Sequence, residues 1–289
     1  MFHTGEVVRM YRGVRRRINN GKPLDSYPFL SGDSFFFSCK YYFDSSRIQA
    51  VPSMRGRKQK ENSLFVKIAE LGDFILFLDK NPDYDFSNFS LVLHNGDESI
   101  SKNLWELLAN RFRNISSVNF LGSHPAFTPI PIGLENRKYF TNGLPMDYQK
   151  LLKSGVKETA DRQIHILEAF SLHTNPAERS ECSRVARKLG SKKLERATRS
   201  EYRRALAGSK YVLSPAGNGI DCHRTWEAMY LGAIPILRRE HWPFVDQNLP
   251  VILVEEWEDL LKLDLNDVNV PRNSTWSENF WNSFYNDEQ

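Results

Sequence analysis

Residues 210–237, KYVLSPAGNGIDCHRTWEAMYLGAIPIL, decide the reading of the fold. Tyr211, Val212 and Leu213 form an apolar run that stops at Ser214 and Pro215, as a buried strand stops at a turn. Gly217 and Gly219 follow, with Asn218 between them. Glycines there permit positive φ and let a ligand approach bare backbone. Residues 225–231, TWEAMYL, are good helix formers and stop at Gly232. Residues 233–237, AIPIL, read as a second strand. Strand, glycine turn, helix and strand make a βαβ unit with a phosphate-sized cradle at a helix N-terminus.

The polar side chains follow a helical repeat. His223 and Glu227 are four apart and Arg224 and Glu227 three apart, so they share a face at the positive end of the helix dipole. A diphosphate would gain from the amides near Gly217, Asn218 and Gly219 and from Arg224. One turn deeper, Glu227 can accept two hydrogen bonds from a ribose diol. The alternative is a glycine turn capping a core helix, with Asp221 as N-cap and His223 satisfied internally. The density of polar groups between two apolar strands favours a ligand site.

Residues 214–237 resemble the nucleotide-sugar motif of exostosin-like glycosyltransferases. Residues 131–136, PIGLEN, and 170–179, FSLHTNPAER, fit the same pattern, and with the strand at 89–95 the resemblance spans residues 63–237. It implies a GT-B architecture: an α/β fold of two Rossmann-like domains facing across a cleft. It also implies a nucleotide-sugar donor and usually no obligatory metal. On this basis residues 1–155 form an acceptor-binding domain and 156–270 a donor-binding domain. Residues 271–289 form a helix packing back on the first domain. The resemblance puts Thr174, Asn175 and Arg179 on the donor diphosphate. Ser214, Pro215, Gly217, Asn218, Gly219, Asp221, His223, Arg224 and Glu227 complete the donor site. It also places residues 131–136 at the cleft, where Glu135 binds acceptor or donor sugar, or pairs with Arg137.

The chain has 289 residues and 33.6 kDa, with 40% hydrophobic and 12% aromatic residues, enough for the cores of two small domains. A net charge of +4 is too mild by itself to argue for nucleic acid. Cys39, Cys182 and Cys222 have no disulfide or metal-finger spacing and read as reduced thiols. The opening MFHTGEVVRMYRGVRRR lacks the apolar core of a secretory leader. The apolar run FILFL at 74–78 is far short of the ~20 residues of a membrane span. The expectation is a soluble, monomeric, cytoplasmic protein. It looks like the kind found in bacteria and large algal viruses, and in the latter case would act in the host cytoplasm. The Arg-rich residues 1–22 read either as a contact for an anionic surface or phosphorylated acceptor, or as a solvated segment.

Along the chain, the aromatic 35–43 reads as a strand, 54–60 as a basic surface loop, 64–68 as a strand and 69–80 as a helix. Asp83 and Asp85 form a DxD, which in glycosyltransferases of another fold holds a metal. Here it lies in a proline-containing loop where Asp is common turn chemistry, and no metal is assigned. A buried strand at 89–94 ends in Asn95, Gly96 and Asp97. Chemistry collects beyond strand C-termini, so Asp97 and His94 are the candidate bases, against a turn stabilised by Asp97 and a buried His94. Residues 102–112 read as an amphipathic helix with Leu104, Leu107, Leu108 and Phe112 on one side. Residues 118–121 read as a strand leading to His124, a further base or acceptor-binding candidate.

A helix is read over 147–153, a strand over 164–170 and a helical segment over 183–209. Pro176 fits a first helical position with Asn175 as cap, and Arg179 in that first turn invites an anionic partner. Residues 251–254 read as a strand. Trp276, Phe280, Trp281 and Phe284 recur at helical spacing, as on a docked terminal helix.

The function expected is transfer of a sugar from a UDP-sugar to a hydroxyl of a glycan acceptor, with a carboxylate or histidine base; the resemblance most often implies inversion, and retention stays open. UDP-xylose is named from soluble viral relatives; UDP-galactose, UDP-glucuronate and UDP-N-acetylglucosamine stay open. The rivals are a non-catalytic nucleotide-sugar-binding module and a basic nucleic-acid-binding protein.

Overall fold

A computed structural model describes residues 26–54, 56–122, 124–137, 145–155, 161–244, 247–271 and 275–286. The basic segment at 1–22 lies outside them. The fold is α/β and Rossmann-like, with two sheets. The first contains β1 (Cys39–Asp44), β2 (Arg47–Ala50), β3 (Lys60–Lys67), β4 (Ser90–His94), β5 (Asn114–Ser117) and β6 (Phe127–Pro129) in the order β2-β1-β3-β4-β5-β6. Only the β1–β2 pair is antiparallel. Helices α1 (Gly32–Ser38), α2 (Leu71–Lys80) and α3 (Lys102–Ala109) belong to this half.

The second sheet contains β7 (Ile164–Glu168), β8 (Lys192–Lys193), β9 (Ser209–Leu213), β10 (Ile234–Arg238) and β11 (Ile252–Val254), all parallel, in the order β11-β10-β9-β7-β8. Its helices are α4 (Pro145–Lys153), α5 (Pro176–Lys188), α6 (Arg199–Ala207) and α7 (His223–Tyr230). The chain leaves β7 for β8 on one side and returns to β9 on the other. Strand order therefore reverses between β7 and β9, and their C-terminal ends frame a crevice, the usual ligand position of a doubly wound sheet. Residues 210–237 fold as read: β9, a glycine turn, α7 and β10, with Val212 opposite Pro235. Gly232, at φ 71°, ends α7 in the left-handed region.

The first sheet's core continues into the second half. Trp226 of α7 is fully buried among Trp242, Phe244, Trp276 and Phe280, with ring centroids 5.3–5.9 Å away. The last two belong to α8 (Trp276–Asn286), which also sets Trp281 and Phe284 on Phe35 of α1, at 5.0 and 5.4 Å. Lys60 Nζ donates to the Phe284 carbonyl at 3.0 Å. The terminal helix thus packs on both halves.

Several local readings are corrected. The aromatic 35–43 run is helix before it is strand: Ser31 caps α1 reciprocally with Ser34, and only Cys39 onward is extended. The strand read at 118–121 lies earlier, at Asn114–Ser117. Small buried serines there hide a strand in a polar-looking sequence, while Val118 and Phe120 are buried in the loop after it. The 183–209 helix is interrupted: Gly190 turns at φ 64°, β8 follows, and Thr198 caps a new helix. In the 54–60 loop, Lys60 is buried and Arg57 stacks over Tyr27 and Trp281, at 4.1 and 4.8 Å from the ring centroids. Leu107 of α3 stays exposed.

Candidate functional site

A cavity of about 840 Å³ opens at the switch point. The loop after β7 (residues 169–174), the loop after β8 (193–199), the glycine turn and the start of α7 line it. Asp97 and Ile132 reach it from the first sheet's side. This is a volume in which a nucleotide-sized ligand fits.

Two arginines form its floor. Arg179 is buried; its Nε donates to the Ala216 carbonyl at 2.9 Å and its Nη1 to the Ser171 carbonyl at 2.8 Å. Arg224 Nε donates to the Ala169 carbonyl at 3.0 Å, while its buried Nη1 has no partner. Both guanidinium groups lie over Phe170, at 5.9 and 5.2 Å from its centroid. Burial, and then the Arg224 charge, lower the Arg179 pKa. Two like charges held mainly by neutral carbonyls leave positive potential for an anion to neutralise.

The glycines act through proximity. Gly217 and Gly219 do not have positive φ, a correction to the sequence reading. A Cβ on Gly217 would lie 2.9 Å from Arg179 Nη2, and one on Gly219 would lie 2.7 Å from the Asn119 side-chain amide. The Gly217 amide donates to the Gly219 carbonyl at 3.0 Å, so the turn spends one of the amides expected to cradle phosphate.

Behind the arginines sits Glu227, 1% exposed. Tyr202 donates its hydroxyl to Glu227 Oε2 at 2.6 Å, while Oε1 holds no hydrogen bond of ordinary geometry and the Tyr148 hydroxyl lies beside the carboxylate. Burial raises the Glu227 pKa. His223 lines the cavity with its Nδ1 2.7 Å from the Gly133 carbonyl. A carbonyl only accepts, so Nδ1 carries a proton, and in the neutral form of the ring the lone pair is on Nε2.

The other predicted residues fall into two groups. Thr174, Asn218 and Asp97 line the cavity, and Asn218 Nδ2 donates to Asp97 Oδ2 at 3.2 Å across the cleft. Asp221 lines it too, but its oxygens are committed. Oδ2 accepts the Ile132 amide at 2.8 Å and both oxygens accept from Trp226 Nε1, while Cys222 rather than Asp221 holds the N-cap position of α7. Burial pushes Asp221 up to about 6.

Ser214, Pro215, Asn175, His94, Glu135 and His124 do not line the cavity. The Ser214 hydroxyl pairs with that of Thr225 at 2.8 Å, and the Pro215 carbonyl accepts from the Cys222 thiol at 3.5 Å. Asn175 occupies the N-cap of α5 in a left-handed conformation, with no capping bond from its side chain. His94 is buried: Nδ1 accepts the Asn95 amide at 2.7 Å, Nε2 donates to the Pro131 carbonyl at 3.2 Å, and burial lowers its pKa to about 4. With both nitrogens occupied inside the protein, His94 is a structural histidine and its candidacy as base is withdrawn. His124 accepts the Ala126 amide at 3.2 Å and packs on Trp105. Asp85 of the DxD accepts the Ser87 amide at 2.9 Å in the loop entering β4, at the opposite end of that strand from Asp97.

Sequence reasoning missed Tyr202 and the 193–199 loop, because it read 183–209 as helical. The signal was present as Thr198-x-x-Glu201, a capping box that starts a new helix and leaves a loop before it.

Among the described residues, no helix is long and apolar enough to cross a membrane. No curated protein matches the chain. Residues 145–274, which contain the whole second sheet, match the family model described as the RXYLT1 C-terminal domain, and this exostosin-related match supports a glycosyltransferase family for that part of the chain.

Proposed function

We propose that the protein is a GT-B-type glycosyltransferase that moves a sugar from a UDP-sugar to a hydroxyl of a glycan acceptor. The observation that carries this reading is the pair Arg179 and Arg224. They share Phe170 at the switch point beside the bare backbone of Gly217. The diphosphate would lie against them and the start of α7, with Thr174 at its edge. The ribose would reach Glu227 Oε1, and the base would face the 193–199 loop. The sugar would point toward Asp97 and the first sheet.

In the transfer, the acceptor oxygen bonds to the anomeric carbon while the bond from that carbon to the β-phosphate oxygen breaks. The growing negative charge on UDP is met by groups already in place. The acceptor proton passes to a base. Asp97 is the first choice, being an exposed carboxylate at the cleft. A second reading has an observation of its own: His223, with Nδ1–H fixed on Gly133, presents a proton-accepting Nε2. UDP-xylose heads the donor panel on resemblance, and this reading, also on resemblance, uses no metal.

A thermal-shift panel of UDP, GDP, CMP and UDP-sugars tests the donor class, since a ligand that binds the native state raises its melting point. UDP compounds are expected to raise it. A shift only with GDP or CMP compounds overturns the donor class, and no shift with any nucleotide overturns the site. UDP-sugar binding without turnover of any hydroxyl acceptor or water favours a non-catalytic binding module.

A further inference from the structure

We infer that Tyr202 is a positioning residue for donor recognition: its hydroxyl pins one carboxylate oxygen of Glu227 so that the other faces the ribose hydroxyls. The inference rests on the nucleotide reading above and adds to it a residue outside the glycine motif.

Glu227 sits one turn into α7, almost sealed from solvent, yet it lines the cavity. A carboxylate in such a place must be held by donors, because an unpaired buried charge protonates or reorients. Tyr202 supplies the hydrogen bond within the chain, to Oε2 at 2.6 Å. Oε1 is buried and holds no hydrogen bond of ordinary geometry, and a ligand hydroxyl in the cavity that Glu227 lines would complete the donors around this carboxylate. Tyr148 brings its hydroxyl beside the same carboxylate without closing a hydrogen bond of ordinary geometry.

The helix that carries Tyr202 is fixed at both sides of it. At its start, Thr198 and Glu201 cap each other, with the Thr198 amide 2.7 Å from Glu201 Oε2. One residue beyond Tyr202, Arg203 pairs with Asp147 of α4 at 3.1 Å. Tyr202 therefore cannot follow Glu227 if the carboxylate swings; it sets where the carboxylate stays. The same helix begins at the 193–199 loop, so one rigid element supports both the wall offered to the base and the group offered to the ribose.

The groups facing Glu227 are Tyr202 from α6, Tyr148 from α4, and His223 and Arg224 from α7. Burial raises the Glu227 pKa, and hydrogen bonding from Tyr202 is the largest effect working against it. Removing that hydroxyl moves protonation of Glu227 to higher pH.

The test is calorimetric titration of the full chain with UDP and with 2′-deoxy-UDP, from about pH 5 to about pH 8. The ratio of the two affinities isolates the ribose contact, because protonation of the β-phosphate affects both ligands alike. Wild type is expected to favour UDP by roughly tenfold or more, as suits a hydrogen bond to a charged group. That preference should fade as pH falls. Tyr202→Phe should still bind both diphosphates, with the preference largely lost at neutral pH and its midpoint displaced upward. Glu227→Gln should lose the pH-dependent preference altogether. If Glu227→Gln behaves so while Tyr202→Phe keeps the wild-type ratio and midpoint, the positioning role is overturned and the nucleotide site stands. If neither variant moves the ratio while UDP still binds, the ribose contact at Glu227 and this inference fall and the nucleotide site stands; if no uridine diphosphate binds, the nucleotide reading itself falls.

Discussion

Asp221, on the turn after β9, accepts the backbone amide of Ile132, which lies beyond β6 of the other sheet, at 2.8 Å. The same carboxylate accepts from Trp226 Nε1, and Asn119 Oδ1 accepts the Asp221 amide at 3.1 Å. His223 to Gly133, and the Leu30 amide to the Tyr230 hydroxyl at 2.7 Å, add further links. The base of the cleft is therefore a fixed seam.

Asp221→Asn tests that seam. Both oxygens face donors, Oδ2 the Ile132 amide and both oxygens Trp226 Nε1, so an amide NH2 in place of either oxygen turns a donor toward a buried N–H. A loss of about 1–3 kcal/mol in stability is expected at neutral pH, read from denaturant unfolding. The sign of the pH dependence is also fixed. Burial raises this carboxyl from 3.8 to about 6, so the folded state binds the proton more tightly. Its contribution favours the fold at low pH and is lost as pH rises through about 6. The wild-type minus Asp221→Asn difference in stability should therefore narrow with rising pH over that window.

Arg179→Gln and Arg224→Gln should each weaken UDP binding by about 1.5–3 kcal/mol, while binding of uridine, which has no phosphate, changes little. Each substitution relieves repulsion between two neighbouring cations but also removes donors to backbone carbonyls, two for Arg179 and one for Arg224, so the melting point of the free protein should fall more for Arg179→Gln than for Arg224→Gln. Equal losses for UDP and uridine would mean that the arginines hold the loop rather than the diphosphate.

Much of this arrangement was legible in the chain. The βαβ unit at 210–237 announced itself through two apolar strands around a helix-forming segment, and helix spacing and resemblance group Arg179, Arg224 and Glu227, which do line one cavity. Burial was not legible. Ser214 and Asp221 have the polarity of ligand contacts, but Thr225, Ile132 and Trp226 occupy them from distant points in the chain. His94 looked like a base because it ends a strand, and only the fold shows Pro131 and Asn95 closing over its nitrogens. The glycines read both as conformationally free and as open to close approach; neither has positive φ, and what comes close to Gly219 is Asn119, in the loop after β5.

Asp97→Asn and His223→Asn separate the two candidate proton acceptors. An Asn side chain at 223 can still donate to the Gly133 carbonyl, so the seam is kept. With Asp97 as base, Asp97→Asn should slow transfer by about 10²–10⁴-fold with UDP affinity unchanged, and His223→Asn should cost far less. The reverse pattern would assign the proton to His223 Nε2. Full turnover in both would remove the base from this part of the cleft.

The most direct measurement is a crystal structure with UDP bound. The diphosphate oxygens are expected within hydrogen-bond reach of Arg224 and Arg179 beside Gly217, with the ribose against Glu227 Oε1. A nucleotide bound elsewhere, or phosphates turned away from both guanidinium groups, would contradict the account.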